Sequence, residues 1–186
     1  MNFPSIETKK LIFGKIETND ISNIILYANN IDIADNILNV PNPFTKEDAI
    51  LLVNRQVHGH ENNTAYVFGI FLKEFREFTG IISLHLDNMS NKAEMGYWIG
   101  KPFRNKGIAT ASVKEILAFG FNTLKLNKIF ATHFTDNISS GKVLVHAGMI
   151  KEAVLKEHYL KNGLYKDVVQ YRLTRQEYHE SNDVNG

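Results

Sequence analysis

The sequence predicts a mixed α/β (α+β) fold: a central, mostly antiparallel twisted sheet of about seven strands flanked by helices, in one domain over residues 1–176. Three observations predict it. Short stretches that alternate apolar and polar residues recur along the chain, as half-buried strands do. Between them lie stretches with apolar residues at three- and four-residue steps, the spacing of a helix face. The order is helices near the start, three strands, a crossover helix, a strand, a helix and a final strand pair, which suits a layered α/β arrangement.

Leu11 to Ile16 reads as the first strand. Asp20 to Ala28 carries Ile21, Ile24, Ile25 and Ala28 at helical spacing. A second helix is expected over Ile31 to Val40, ended by Pro41-Asn42-Pro43. Thr45 stands as an N-cap with Asp48 three residues on, opening a helix through Ile50, Leu51, Val53, Asn54 and Val57. Strands follow at Ala65–Leu72 and Gly80–Leu86, with a polar turn over Phe75–Thr79 between them. Asp87–Asn91 turns the chain into the strand that holds Glu94, with Met95, Tyr97 and Ile99 on one face and Glu94, Gly96 and Trp98 on the other. Val113, Ile116, Leu117, Gly120 and Leu124 mark the crossover helix. Leu126–Phe134 is a strand, and Asp136-Asn137-Ile138-Ser139-Ser140 opens a helix that Gly148 closes. Asn162-Gly163, a strong hairpin signal, joins the last two strands, Val154–Tyr159 and Leu164–Leu173. Residues 177–186 read as a polar, disordered tail.

Composition narrows the function. The 21 basic and 20 acidic residues leave a net charge of +1, which gives no bulk field for nucleic acid or a membrane surface. The chain has no cysteine, which excludes a disulfide framework, a thiol nucleophile and a cysteine-ligated zinc. His58-Gly59-His60-Glu61 has loose spacing and reads as a solvated loop after a helix, so no metal is expected. The N-terminal residues lack a leader pattern and no apolar run reaches membrane-spanning length, so a soluble, cytoplasmic protein is expected.

The stretch Arg104-Asn105-Lys106-Gly107-Ile108-Ala109 carries the chemistry. It stands between a strand and a helix. Gly107 and Ala109 leave no bulky side chain at the helix start, whose first N–H groups lack intrahelical partners and whose dipole favours negative charge. Such an end suits a pyrophosphate, with Arg104 and Lys106 adding charge beside it. A solvated basic loop capping a helix would look the same. This Arg-x-x-Gly-x-Ala pattern resembles the pyrophosphate loop of the GCN5-related N-acetyltransferases, the GNAT superfamily. Asn137-x-x-Ser140 ending in Gly148-Met149 resembles the same family's second cofactor element, with Met149 in place of the usual Phe. Together with Glu94-Met95-Gly96-Tyr97-Trp98 and the final hairpin, the chain is similar to the Rim-type, ribosomal-protein acetyltransferase branch, whose members acetylate N-terminal α-amines or small amines.

The resemblance implies a GNAT fold and acetyl-CoA as co-substrate. It implies cofactor contacts from Trp98, Ile99, Arg104, Asn105, Lys106, Gly107, Ile108, Ala109, Thr110, Asn137 and Ser140. It points to Glu94 as general base and Ser140 as proton donor to the leaving thiolate. A solvent-facing Glu94 and a helix-capping Ser140 are the structural alternatives. His85, Tyr97, Tyr159 and Tyr165 are candidates for the acceptor side, although tyrosines there pack more often than they react. The function expected is acetyl transfer to a primary amine, a protein N-terminus or a small molecule, by direct attack in a ternary complex. The alternatives are an amine- or antibiotic-detoxifying acetyltransferase, for which Glu61, Asp87 and Glu94 would be the acidic groups, and an acyl-CoA-binding module without transfer. A homodimer is left open.

Overall fold

The computed structural model describes residues 2–183. They form two compact units: one runs to His85 and takes in Tyr97–Ala109, the other takes Leu86–Gly96 and the chain from Thr110 onward.

In the first unit, strands β1 (Ile6–Glu7), β2 (Leu11–Gly14), β3 (Ala65–Leu72) and β4 (Glu77–Asp87, to His85 in this unit) pair antiparallel in that order. β1 is the strand beyond the seven expected; two residues are too few to show alternation. Three helices follow β2: α1 (Ile21–Ala28), α2 (Ile31–Asn36) and α3 (Lys46–Glu61). Ile21, Ile24 and Ala28 of α1 pack with Phe44 and Ala49 against Val67, Phe71, Phe78 and Ile81 of β3 and β4. This is the apolar stripe that the helical spacing of α1 announces.

The caps decide where the helices begin. Thr45 and Asp48 form a reciprocal capping box at α3, as the sequence suggests. Asn30 caps α2 by accepting from the Asp32 N–H at 3.0 Å. α3 is locked to the sheet by one polar side chain. Gln56 is fully buried; its Oε1 accepts from the Ile16 N–H at 3.1 Å and its amide donates to the Val67 carbonyl.

In the second unit, β5 (Lys92–Ile99, to Gly96 here), β6 (Lys128–Phe134), β8 (Leu164–Thr174) and β7 (Ile150–Lys161) lie in the order β5-β6-β8-β7. β5 and β6 are parallel; the other pairs are antiparallel. Parallel neighbours require a long crossover, and α4 (Ile108–Ala118) supplies it, continuing into a π-helical turn over Phe119–Thr123. α5 (Ile138–His146) leads into β7. The β7–β8 hairpin closes through Asn162 and Gly163, both at positive φ (51° and 77°), as a two-residue turn of this hand demands.

Several expectations are corrected, beginning with two strands: β2 ends at Gly14 rather than Ile16, and β7 runs over Ile150–Lys161 rather than Val154–Tyr159. α2 ends at Asn36 rather than Val40: Ile37 turns to extended backbone, with its N–H closing the last turn on the Ile33 carbonyl, although Ile33, Ile37 and Val40 keep helical spacing. The 75–79 turn is shorter, because β4 starts at Glu77 and Thr79 is buried, donating to the Ile70 carbonyl at 3.0 Å. The strand expected from Leu126 begins at Lys128. His58–Glu61 belongs to the last turn of α3, where imidazoles suit the negative helix end, and is not a loop. Arg175–Asp183 forms α6, so the expected disordered tail is helical that far; residues 184–186 lie outside the described residues. The cause is a second capping box: the Thr174 N–H and Oγ1 both donate to the Glu177 carboxylate at 2.9 and 2.8 Å, and the Glu177 N–H returns to Thr174 Oγ1 at 3.3 Å. No helix among the described residues is long and apolar enough to cross a membrane.

Gln56→Leu keeps the volume but strands the Ile16 N–H and the Val67 carbonyl. Each buried unpaired group costs about 1–3 kcal/mol. Urea unfolding should show a lower midpoint with an unchanged slope.

Candidate active site

The basic loop lies in the first unit. β5 ends at Ile99, and Lys101–Phe103 make a short 3-10 turn that leads to Arg104. Just before it, Gly80 of β4 runs under Trp98, where a Cβ would collide with the Trp98 carbonyl oxygen. Trp98 is half-buried with its ring edge-on to Phe78, 5.9 Å between centroids, and Ile99 is buried. Asn105 and Gly107 both take positive φ, 59° and 76°. These turns sweep the backbone into the open end of α4, and nothing lies within 4 Å of where a Gly107 Cβ would stand. Ile108 is buried and anchors the helix start.

Arg104 does not point freely at solvent. Its Nε donates to the Ile99 carbonyl at 3.1 Å and its Nη1 to Asp32 Oδ2 of α2 at 2.9 Å. The guanidinium therefore braces the loop against the strand end and against α2. Lys106 sits with its ammonium 5.7 Å from the Phe103 ring centroid and is exposed. An anion placed at this loop would meet backbone N–H groups and Lys106 more than the Arg104 charge.

The second unit holds a carboxylate in place by itself. The parallel register sets Glu94 opposite Phe130, so Glu94 and Thr132 project from the same face. Thr132 Oγ1 donates to Glu94 Oε1 at 3.4 Å, and the Tyr159 hydroxyl donates to the same oxygen at 3.3 Å. Oε2 takes no hydrogen bond among the described residues. Burial, and next the Glu94 charge, hold the Tyr159 phenol above its ordinary range, while its bond with Thr132 pulls the other way. At neutral pH the phenol is therefore a donor.

Asn137 caps α5, as the sequence suggests: its Oδ1 accepts from the Ser140 N–H at 3.2 Å and from the Ser139 hydroxyl at 2.8 Å. The side chain bound into the cap is thus Ser139, while Ser140 enters the cap through its backbone. Thr110 and Ala109 are half-buried in the first turn of α4.

Among the acceptor-side candidates, Tyr159 joins Glu94 and the others do not. His85 is exposed rather than partly buried, with its Nε2 3.2 Å from Ser83 Oγ. Tyr165 is 66% exposed at the hairpin tip. Tyr97 is half-buried. Of the acidic residues considered, Glu61 pairs with His58 at 3.9 Å on the end of α3, and Asp87 binds the Ser90 N–H and Lys92 in a turn. Asp32 and Thr132 are the participants that sequence reasoning missed. Thr132 could have been found from the alternation of β6, had the β5–β6 register been known. No cluster of metal-ligating residues occurs among those described.

The acetyltransferase (GNAT) domain family matches residues 10–150. An uncharacterized N-acetyltransferase, YoaA, of Bacillus subtilis is 29% identical over 174 residues, 93% of this chain and 98% of that protein. A ribosomal-protein-serine acetyltransferase of Escherichia coli is 27% identical over 128 residues, 68% of this chain and 70% of that one. A spermidine N-acetyltransferase from Vibrio cholerae, solved with CoA and spermine, superposes with a TM-score of 0.79 at 22% identity, covering 92% of this chain and 99% of that one. The family match spans most of the chain and contains both the Arg-x-x-Gly-x-Ala loop and the Asn-x-x-Ser helix start: the chain belongs to the GNAT acetyltransferases, acyltransferases that use acetyl-CoA.

Proposed function

We propose that this protein transfers the acetyl group of acetyl-CoA to the α-amine of a protein N-terminus, with Glu94 as general base. The observation that carries this reading is the Glu94 carboxylate, fixed through Oε1 by Thr132 and Tyr159 with Oε2 left to act. A wandering surface glutamate would not have two hydroxyl donors on one oxygen.

The loop suits the cofactor's pyrophosphate. The N–H groups from Lys106 to Thr110 lie at the open end of α4, no side chain stands at 107, and Lys106 adds a cation. Trp98 and Ile99 lead into the loop, Asn105 lies within it, and Arg104 braces it. When bound, acetyl-CoA supplies an already activated thioester. What remains for the protein is to hold the amine and remove its proton. Glu94 Oε2 takes that proton directly or through water as the amine nitrogen bonds to the acyl carbon and the carbon–sulfur bond breaks. Ser140, at the start of α5, passes its hydroxyl proton to the sulfur and regains one from water as Glu94 releases the amine's proton to solvent, and Asn137 fixes that helix end.

An α-amine has a pKa of about 7.7–8.0, so a single carboxylate suffices to deprotonate it; a polyamine is a heavier demand. Three carboxylates of β7, β8 and α6 are already matched. Glu152 pairs with Lys128 and Arg172, Glu177 with Arg172, and Asp167 with Lys156. With Glu157 the carboxylate of β7 outside these pairs, the matches reduce the acidic charge open to a polycation and favour a singly charged acceptor. Turnover against N-terminal peptides, polyamines and aminoglycosides tests the acceptor class; activity confined to the last two would overturn it.

Glu94→Gln should lower kcat by roughly 10²–10⁴-fold with the KM for acetyl-CoA nearly unchanged. The deficit should shrink at high pH, where the amine loses its proton unaided. Wild-type kcat at neutral pH would remove Glu94 from the mechanism.

Two substitutions separate steric from backbone effects at the loop. Gly107→Val adds bulk and also strains a left-handed backbone. Gly107→Asn adds bulk at a φ that asparagine tolerates. Calorimetry should show CoA binding lost in both, with Gly107→Asn melting like the wild type. Intact CoA affinity in Gly107→Asn would show that the phosphate does not sit there.

A further inference from the structure

β7 does not pair evenly with β8. After a first, one-residue shift between Lys151 and Ala153, the register runs through Val154↔Val169 to Leu155↔Val168, and the next regular pair on this face would set Glu157 opposite Lys166. Instead Tyr159 stands opposite Lys166, so β7 spends two more residues than β8 over this span. Glu157 sits in the excess at φ 51°, an uncommon conformation for a side chain of its size. Bulges of this kind re-aim a side chain near a site.

The bulge is pinned by one residue. Asp167 Oδ1 accepts from the Glu157 N–H at 2.8 Å, and Asp167 Oδ2 accepts from Lys156 Nζ at 2.7 Å. The Lys156 bond and then the Glu157 N–H hold the Asp167 carboxyl below the usual carboxylate range, so it stays charged. Positions 168, 170 and 172 of β8 share a face with 134, 132 and 130 of β6, and the pairing of Tyr159 with Lys166 puts its ring on that face, where it meets Glu94. Two residues of strand amount to about 7 Å. Without the excess, that place would belong to the Glu157 carboxylate and not to the phenol.

The geometry points to Asp167 as a positioning residue for the transfer reaction: it holds the 156–158 bulge, which holds the Tyr159 hydroxyl on Glu94 Oε1. The inference rests on Glu94 being the base. Asp167 touches neither reactant in this reading and acts through Tyr159. The ion pair with Lys156 is exposed and secondary; the bond that matters is the one from the Glu157 N–H.

A double-mutant cycle on the full chain, read as steady-state kinetics with acetyl-CoA and the best acceptor peptide, tests this. Asp167→Ala should lower kcat about 10–100-fold, the scale of a small misplacement, with the KM for acetyl-CoA unchanged. Asp167→Asn retains an oxygen for the Glu157 N–H and should recover most of the rate. In a Tyr159→Phe background, Asp167→Ala should change kcat less than twofold. Wild-type kcat in Asp167→Ala would overturn the proposal. So would an equal loss in both backgrounds, or an Asp167→Ala protein unfolded at the assay temperature, since the role assigned is confined to the hairpin. If Glu94→Gln retains wild-type kcat, the base assignment fails first. If Glu94→Gln is impaired while Asp167→Ala is not, only the positioning role fails.

Discussion

The short parallel pairing of β5 with β6, Lys92↔Lys128, Ala93↔Ile129 and Glu94↔Phe130, is the constraint on which the second unit depends. It sets Glu94 on the face that also presents Thr132. Parallel strands cannot be joined by a tight turn, so this pairing obliges the chain to include a helix between them. The crossover helix, in turn, has an open N-terminus directly after the strand that carries Glu94. One pairing thus requires both the crossover helix, with its open N-terminus, and the strand that carries Glu94, joined by a single run of sequence from Glu94 to Ala109.

The polar side chains in this arrangement each do one structural job before any chemical one. Arg104 closes the loop on Ile99 and reaches Asp32; Asn137 ends a helix; Tyr159 and Thr132 fix a carboxylate rotamer. A residue type expected at a site by resemblance can therefore be present for a different physical reason. Arg104 shows the structural side of this: it pairs with Asp32 and braces the loop that carries Asn105 and Gly107.

Local signals were legible in the sequence because local interactions produce them. Thr45 with Asp48, Asn137 before its helix, and Asn162-Gly163 between two strands each act over four residues or fewer, and each stands where expected. The box Thr174–Glu177 is of the same kind and was equally readable, hidden by the polar composition that follows it. What could not be read was pairing at a distance. The Arg104–Asp32 contact spans 72 residues and Tyr159–Glu94 spans 65, and neither leaves a trace in periodicity. The register of β5 on β6 is invisible for the same reason, and Thr132 with it. The bulge in β7 escaped because alternation through Val154–Tyr159 looks the same with and without it.

That last invisibility has a consequence for how such a protein can change. Side chains on a strand repeat every two residues, so gaining or losing a pair of residues leaves every downstream apolar residue on its original side. An insertion of two is silent to the core and felt where the strand meets its neighbours' functional groups. The 155–159 segment of β7 is therefore a place where descendants of one gene can exchange the group facing Glu94, a phenol for a carboxylate or an imidazole, by length variation alone, with no compensating change in the hydrophobic layer beneath.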